Sequence, residues 1–406
     1  MAVYKKRGKW VLPRHKFVKN TLIRPFEFYS RIRYGLHFEI FPNPEHHQYL
    51  ILTNHQTPFD QFFTAFVFRD PIYYIATEDI FSIGFLSRLL EFVVAPIPIR
   101  KGATDVNSIK NCVQVVKEGG SIALCPEGNR TYSGQTESIK PSIAKLIKML
   151  KLPVLFVKFE GGYGVAPRWS DVLRKGSMRA YPAGILGVDE IKAMSAEELA
   201  QKVTDALYVD EHNNPVDYHS NKRAEYLERL LYVCPQCGLT RFESKGNRAY
   251  CHSCELTFEY NPNLTLKPIK GSLPYSNIRD WYFAQNDFVR KLPISLYEKD
   301  EIIFSDFVSL YKVHIYEHKE RMLKNAFLSL RGNTLQIEGN DISYRLALND
   351  ITGMSVLGHN KLGFYVGEDL YQIKGSKRFN AVKYLNLYYH YTNRKEPEKD
   401  GEFLGL

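Results

Sequence analysis

From residue 36 onward, short apolar runs alternate with stretches of helical periodicity. Residues 49–53 and 72–76 are compact apolar runs, which read as buried strands. Over residues 108–118, Ile109, Cys112, Val113 and Val116 recur at helical spacing, and Gly119-Gly120 supplies the stop. Residues 121–125 form a third strand that runs through Pro126 into Glu127-Gly128-Asn129-Arg130, and residues 154–160 form a fourth that ends at Gly161-Gly162. Ser195 and Glu198 make a capping box ahead of a helix over 196–208, which closes the unit near residue 220. The alternation predicts an α/β domain over 36–220, a mixed sheet flanked by helices. In open sheets ligands lie beyond the carboxyl ends of the strands, so the loops after 49–53 and 121–125 can share one crevice.

Beyond residue 300 the period changes. Residues 302–304, 308–316, 326–330, 334–338, 343–348, 362–366 and 370–373 are short and β-prone, separated by turns such as Arg331-Gly332-Asn333. A helix over 380–391 follows, with Val382, Leu385 and Tyr389 on one face. Many short strands and one helix describe a β-rich, barrel-like domain over 299–395. In order and spacing it resembles the pleckstrin-homology or GRAM-like group; an unrelated packing module fits the same pattern. Residues 263–298, between this domain and the cysteine-rich stretch described below, read as a linker.

Composition adds an asymmetric charge. Ten Lys and Arg against Glu27 alone occupy residues 1–34, so this arm carries nearly all of the net +10. Val18, Leu22, Phe26 and Tyr29 fall among them at spacings of four, four and three, a helical stripe that Pro25 must kink or interrupt. Residues 1–35 are therefore expected to form a basic amphipathic arm on an anionic membrane surface. A helix packed on the next domain with solvated charges fits as well, and nucleic acid, a third polyanion, is disfavoured. No stretch of 18 residues lacks charge, so no transmembrane helix is expected, and no secretory signal is legible at the start. A cytoplasmic protein associated peripherally with the membrane is expected.

Cys234-Pro-Gln-Cys237 and Cys251-His-Ser-Cys254 stand thirteen residues apart. Two CxxC knuckles at that spacing predict a small ribbon over 225–262 with structural Zn2+ on Cys234, Cys237, Cys251 and Cys254. Paired disulfides would need an oxidising compartment.

The chemistry concentrates in two loops. In Asn54-His55-Gln56-Thr57-Pro58-Phe59-Asp60, Thr57 reads as a helix N-cap with Pro58 in the first turn and Asp60 at the third position. His55 can then fold back, one ring nitrogen on Asp60 and the other in the crevice, ready to deprotonate an alcohol. Taken alone, the segment reads more simply as a helix cap beside an incidental histidine. In Cys125-Pro126-Glu127-Gly128-Asn129-Arg130, backbone amides and a guanidinium can converge on a phosphate. Cys125 itself reads as strand packing rather than a nucleophile.

Together, His-x4-Asp and Pro-Glu-Gly-x-Arg resemble the first and third motifs of the glycerolipid acyltransferases, the 1-acylglycerol-3-phosphate acyltransferase family. Arg100-Lys101-Gly102, after Ala95-Pro96-Ile97-Pro98-Ile99, occupies the place of the second motif, and Leu152-Pro153-Val154 resembles the start of the fourth. Cys125, Asn129 and Phe156 depart from the family pattern, which bears on the acceptor more than on the reaction. The resemblance implies an O-acyltransferase that moves a fatty acyl group from an acyl thioester, acyl-CoA or acyl carrier protein, to the free hydroxyl of a lysophospholipid. The leading acceptor is 1-acylglycerol-3-phosphate, giving phosphatidic acid. His55 and Asp60 are the expected catalytic pair, with Arg100, Lys101, Glu127, Gly128, Asn129 and Arg130 holding the acceptor phosphate. Glu127 is expected to position Arg130 or the acceptor. Other acceptors (a lysophospholipid with a headgroup, a lipoamino acid or a glycolipid) and a non-catalytic zinc-ribbon lipid-binding protein are the competing readings.

Overall fold

A computed structural model describes residues 8–99, 106–214, 216–314 and 317–395. The first domain is a seven-stranded sheet in the order β1-β7-β6-β2-β5-β3-β4. Its strands are β1 (Leu36–Phe38), β2 (Leu50–Thr53), β3 (Ile72–Thr77), β4 (Ile97–Ile99), β5 (Ser121–Leu124), β6 (Val154–Glu160) and β7 (Met178–Leu186). All ladders are parallel except β6 with β7, so the sheet is mixed, as expected. The central strands are continuous apolar runs because helices cover both faces. Leu50 and Leu52 face one core with Ile122, Val154 and Phe156; Ile51 faces the other with Leu155, Val157 and Phe63.

The helices are α1 (Pro13–Tyr34), α2 (Asp60–Val67), α3 (Phe85–Val93), α4 (Val106–Lys117), α5 (Ile143–Leu150), α6 (Gly162–Val165), α7 (Val188–Ala193) and α8 (Ala196–Leu207). The capping box before α8 is present: Ser195 N donates to Glu198 Oε2 at 2.7 Å, and Glu198 N to Ser195 Oγ at 3.1 Å.

Pro25 does not interrupt α1, which runs unbroken from Pro13 to Tyr34. Gly35 ends it at φ +59°, where a Cβ would meet the Gly176 carbonyl oxygen at 2.1 Å. The buried face is not the stripe read from sequence. His15, Ile23, Glu27, Ser30 and Tyr34 turn inward, while Leu22 and Tyr29 are exposed. Phe26 packs among Phe59, Phe62, Phe63 and Phe66 of α2 and its approach. Lys19 reaches the carbonyl oxygens of Phe68 and Asp70 at 2.8 and 2.5 Å, and burial pulls its pKa down to about 7. One face thus packs on the domain. The other presents Phe17, Phe28 and Ile32 to solvent beside exposed Phe85 and Phe92 of α3. No helix among the described residues is long and apolar enough to cross a membrane.

The cysteine-rich segment adds β8 (Val233–Cys234) paired with β9 (Gly238–Leu239), and a four-stranded antiparallel sheet of β10 (Phe242–Lys245), β11 (Arg248–Cys251), β12 (Thr257–Tyr260) and β13 (Leu266–Lys270). Residues 263–298 are not an extended connection. They form β13 and a helix, α9 (Ile278–Arg290), capped by Asn277, whose side chain accepts from Asp280 N. Trp281 of α9 is buried against Phe242 and Phe258 and donates to Val233 O at 2.9 Å; Gln285 accepts from the amides of Tyr232 and Val233. The apolar face of α9 is one wall of the ribbon core, a partnership that sequence spacing alone does not announce.

The C-terminal domain is a seven-stranded antiparallel sheet, β14 (Ile302–Val313), β15 (Glu320–Arg331), β16 (Thr334–Glu338), β17 (Ser343–Ala347), β18 (Ile351–Leu357), β19 (Lys361–Val366) and β20 (Asp369–Gly375), ordered β17-β16-β15-β14-β20-β19-β18. Two expected strands merge in β14, and β18 escaped the sequence reading. The terminal helix, α10 (Val382–Lys395), covers the sheet; Tyr388 and Tyr389 hydroxyls donate to Ile351 O and Met354 O of β18 at 2.7 and 3.0 Å.

Candidate active site

The site lies at the carboxyl ends of β2 and β5, with β6 behind it. Asn54 leaves β2 and bonds reciprocally with the backbone of Phe159 in β6, through Nδ2 at 2.8 Å and Oδ1 at 2.7 Å. This fixes the turn that carries His55. His55 Nδ1 lies 2.9 Å from Asp60 Oδ2. Asp60 is fully buried at the start of α2 and accepts three further bonds, from Gln56 N at 2.6 Å, Thr57 N at 2.8 Å and Thr57 Oγ1 at 2.5 Å.

The local reading of this turn needs correcting. Phe59, not Thr57, stands at the N-cap, and the helix begins at Asp60. Instead of a cap oxygen holding the helix, the Asp60 carboxylate reaches back and gathers the turn around itself. The consequence favours chemistry: a carboxylate only accepts, so Nδ1 of His55 carries its proton toward Asp60 and Nε2 keeps a free lone pair. Burial lowers the His55 pKa below its ordinary value, opposed by Asp60 and reinforced by Arg130 and Arg168. The imidazole is neutral at neutral pH, the state a general base requires.

The second loop meets the first. Thr131 N donates to His55 O at 3.0 Å. Arg130 Nε donates to Gln56 O at 3.2 Å and Nη2 to Ala166 O at 2.9 Å, while Nη1 has no protein partner among the described residues. Burial and the neighbouring Arg168 guanidinium bring Arg130 down to about 10, so it keeps its charge at neutral pH. Gly128 turns the loop at φ +70°.

Of the two partners expected for Glu127, Arg130 or the acceptor, Arg130 is not among its hydrogen bonds in the described residues. It is buried, and its oxygens accept from two backbone amides, His55 N at 2.6 Å and Glu137 N at 2.7 Å. Burial raises its pKa well above the ordinary range. Asn129 is also turned inward, its Oδ1 accepting from Arg168 Nη2 at 3.0 Å. Cys125 has its thiol beside Thr53 Oγ1 at 3.1 Å, and burial raises its pKa, which keeps it protonated. Arg100 and Lys101 lie outside the described residues.

Two further groups border this site that sequence reading missed. Arg168 is buried over the Tyr132 ring at 4.0 Å; Nη1 donates to Arg130 O at 2.8 Å. Neither it nor Arg130 has an ion-pair partner among the described residues. Two guanidiniums without a carboxylate concentrate positive charge here, an environment that suits an anion. Glu211, fully buried after α8, accepts from Gln56 Nε2 and Gly161 N, both at 2.6 Å, and burial raises it to about 7. Gln56 Oε1 in turn accepts from Gly162 N at 2.7 Å. No spacing signal marks either Arg168 or Glu211.

Residues 37–159 match the family model described as Acyltransferase. This segment is an acyltransferase-family domain. Over 130 residues the chain is 25% identical to a chloroplastic 1-acyl-sn-glycerol-3-phosphate acyltransferase of Brassica napus, a match that covers 32% of this chain and 38% of the relative. The chain therefore spans about two fifths of the length of that curated relative. The crystal structure of the 1-acyl-sn-glycerophosphate acyltransferase PlsC from Thermotoga maritima is 18% identical, with 48% of this chain and 81% of that chain covered at a TM-score of 0.39. Within the acyltransferase domain, the matched span holds both loops described above.

Away from this cleft, the four predicted cysteines cluster. Cys234 and Cys254 sulfurs are 3.6 Å apart, Cys237 and Cys251 3.5 Å, and all four lie within 4.8 Å of one another. A tetrahedron of thiolates at a Zn–S distance of about 2.3 Å has S···S edges near 3.8 Å. The donor set and spacing fit one Zn2+.

Proposed function

We propose that this protein is an O-acyltransferase that moves a fatty acyl group from an acyl thioester, acyl-CoA or acyl carrier protein, to the free hydroxyl of 1-acylglycerol-3-phosphate, giving phosphatidic acid. The observation that carries this reading is the convergence of the His55–Asp60 pair, 2.9 Å apart, with the Arg130 guanidinium held on the next residue's carbonyl. Nε2 of His55 takes the proton of the acceptor hydroxyl as its oxygen attacks the thioester carbonyl. Asp60 stabilises the imidazolium so formed. Collapse of the tetrahedral intermediate breaks the C–S bond, and the same proton passes to the departing thiolate.

Arg130, through its unused Nη1, binds the acceptor phosphate, with Arg168 adding charge behind it. By motif position, Arg100 and Lys101 join them, while Gly128 lets the loop turn and Asn129 braces Arg168. Glu127 is a positioning residue that holds the His55 backbone. Cys234, Cys237, Cys251 and Cys254 would hold a structural Zn2+, whose role is to fold the ribbon. The domains take the bounds 1–35 for the basic arm, 36–220 for the enzyme, 225–262 for the ribbon and 299–395 for a PH/GRAM-like module. Residues 263–298 belong with the ribbon core. Exposed Phe17, Phe28, Ile32, Phe85 and Phe92 beside the basic residues of α1 support peripheral binding to an anionic, cytoplasmic membrane face.

The test is a panel of lysolipids and acyl donors incubated with purified protein, with products identified by mass spectrometry. Phosphatidic acid from wild type and none from His55→Ala is expected. An unimpaired His55→Ala protein sinks the mechanism.

A further inference from the structure

The turn between β18 and β19, Gly358-His359-Asn360, brings the C-terminal sheet to the edge of the cleft. Arg168 holds it there, with Nη2 donating to Val356 O at 3.0 Å while Nη1 holds Arg130 O. Tyr365 of β19 donates to Glu78 Oε2 at 2.8 Å, just after β3. His359 Nδ1 bonds Asp171 Oδ1, and Asp171 also takes both terminal nitrogens of Arg229, at 3.0 and 2.7 Å.

These contacts fix the state of His359. Partial burial opposes ionisation of Asp171, but Arg229 and His359 outweigh it and hold the carboxyl at about 2, so Asp171 only accepts and Nδ1 carries the proton. Burial and then Arg130 lower the His359 pKa to about 4, so the ring is neutral. Nε2 is left as a bare acceptor with no partner among the described residues. The His359 ring lies within electrostatic reach of Arg130, whose Nη1 is also unused, and Arg168 ties the strand end before this turn to the Arg130 backbone. A phosphate oxygen suits the guanidinium; only a donor suits Nε2.

We propose that His359 is a specificity-determining residue of the acceptor site, its Nε2 accepting a hydrogen bond from a hydroxyl carried next to the phosphate that Arg130 binds. This rests on the reading of Arg130 given above. The C-terminal sheet is then a wall of the substrate site rather than an appendage. The hydroxyl has two possible sources, the P–OH of a phosphomonoester or the hydroxyl of a polyol headgroup on a phosphodiester.

Full-length wild type, His359→Ala and His359→Gln are compared on three lysolipids with one acyl-CoA: 1-acylglycerol-3-phosphate, the glycerol-headgroup diester and the choline-headgroup diester, which has no headgroup hydroxyl. His359→Ala is expected to raise KM about tenfold for the hydroxyl-bearing acceptor, leave kcat nearly unchanged and leave the choline lipid unaffected. Whether the first or second lipid responds identifies the source, and His359→Gln, which keeps an acceptor atom, restores most of the loss. Tyr365→Phe, which loosens the same sheet elsewhere, is expected to change no acceptor selectively. Equal changes on all three lipids, no change on any, or the same selectivity in Tyr365→Phe would overturn the proposal. Wild type inactive on every lysolipid removes the parent reading and this one with it; an active wild type with unaltered ranking in His359→Ala removes this one alone.

Discussion

Glu127 accepts the backbone N–H of His55 at 2.6 Å across 72 residues of sequence, and its other oxygen takes Glu137 N at 2.7 Å. The acid of the second loop therefore holds the base of the first in place. Both amides need an acceptor, so Glu127 acts here as the carboxylate although burial opposes its ionisation; Glu127→Gln keeps one acceptor oxygen but turns an NH2 toward the other amide, leaving a buried donor facing a donor. We expect a loss of about 1–3 kcal/mol in stability, the cost of an unsatisfied buried group, measured by chemical denaturation. kcat should fall with it, because His55 loses its backbone restraint. Full activity in Glu127→Gln would remove Glu127 from the positioning of His55.

The pH profile should report the burial of His55. Desolvation lowers its pKa below 6.5, and Arg130 and Arg168 push the same way against Asp60. A base must be deprotonated to act, so kcat/KM should stay flat as pH falls through 6.5 and decline only below it. Arg130→Gln removes one of the repelling charges and should move that acid limb to higher pH, besides weakening the acceptor. An acid limb of wild type centred above 6.5 would contradict the buried, charge-flanked setting.

Parts of this arrangement are legible in sequence because they are local. A short apolar run such as residues 50–53, bounded by turn signals, reads as a strand covered on both faces, and Ser195 with Glu198 marks the first turn of α8. The His55–Asp60 pair is equally local, since the partners are five positions apart. What escaped is non-local. Arg168 and Glu211 carry no motif and matter only because the sheet brings their loops to Arg130 and Gln56. Both faces of α1 are partly apolar, so spacing alone does not tell the one that packs on α2 from the one left in solvent. Residues 263–298 looked like a linker because Trp281 and Gln285 find their partners on the ribbon, about fifty residues earlier.

Metal removal should be a stability experiment, not a catalytic one. The four sulfurs, all within 4.8 Å of each other, are expected to bind about one Zn2+ per chain, measured by elemental analysis. Cys251→Ser or a strong chelator should lower the melting temperature, because Trp281 and α9 pack on the strands those cysteines tie together. With zinc binding worth on the order of 10 kcal/mol in small zinc-finger peptides, even a fraction of it would be a large shift. A Cys251→Ser protein with unchanged melting and no bound zinc would rule out a structural metal.

Membrane contact should depend on side chains that α1 and α3 leave in water. Phe17 is 73% exposed, Phe28 68%, Ile32 70% and Phe85 79%, apolar surface that contact with lipid would bury. Arg14 stacks its guanidinium over Phe92 at 4.6 Å, joining the two helices and keeping a cation at the rim of the apolar patch. Deleting the arm is a poor test, because Ile23, Phe26 and Tyr34 on its other face belong to the core around α2 and their loss would damage the fold. Single substitutions avoid this. Burying one such side chain is worth about 1.5–3 kcal/mol, so Phe28→Ser and Phe85→Ser should each weaken sedimentation with anionic vesicles by roughly tenfold or more, with melting temperature unchanged. Added salt should weaken wild type through the basic residues of α1 while leaving the apolar share in place. Vesicle binding that is indifferent to both substitutions would place the membrane contact elsewhere on the molecule.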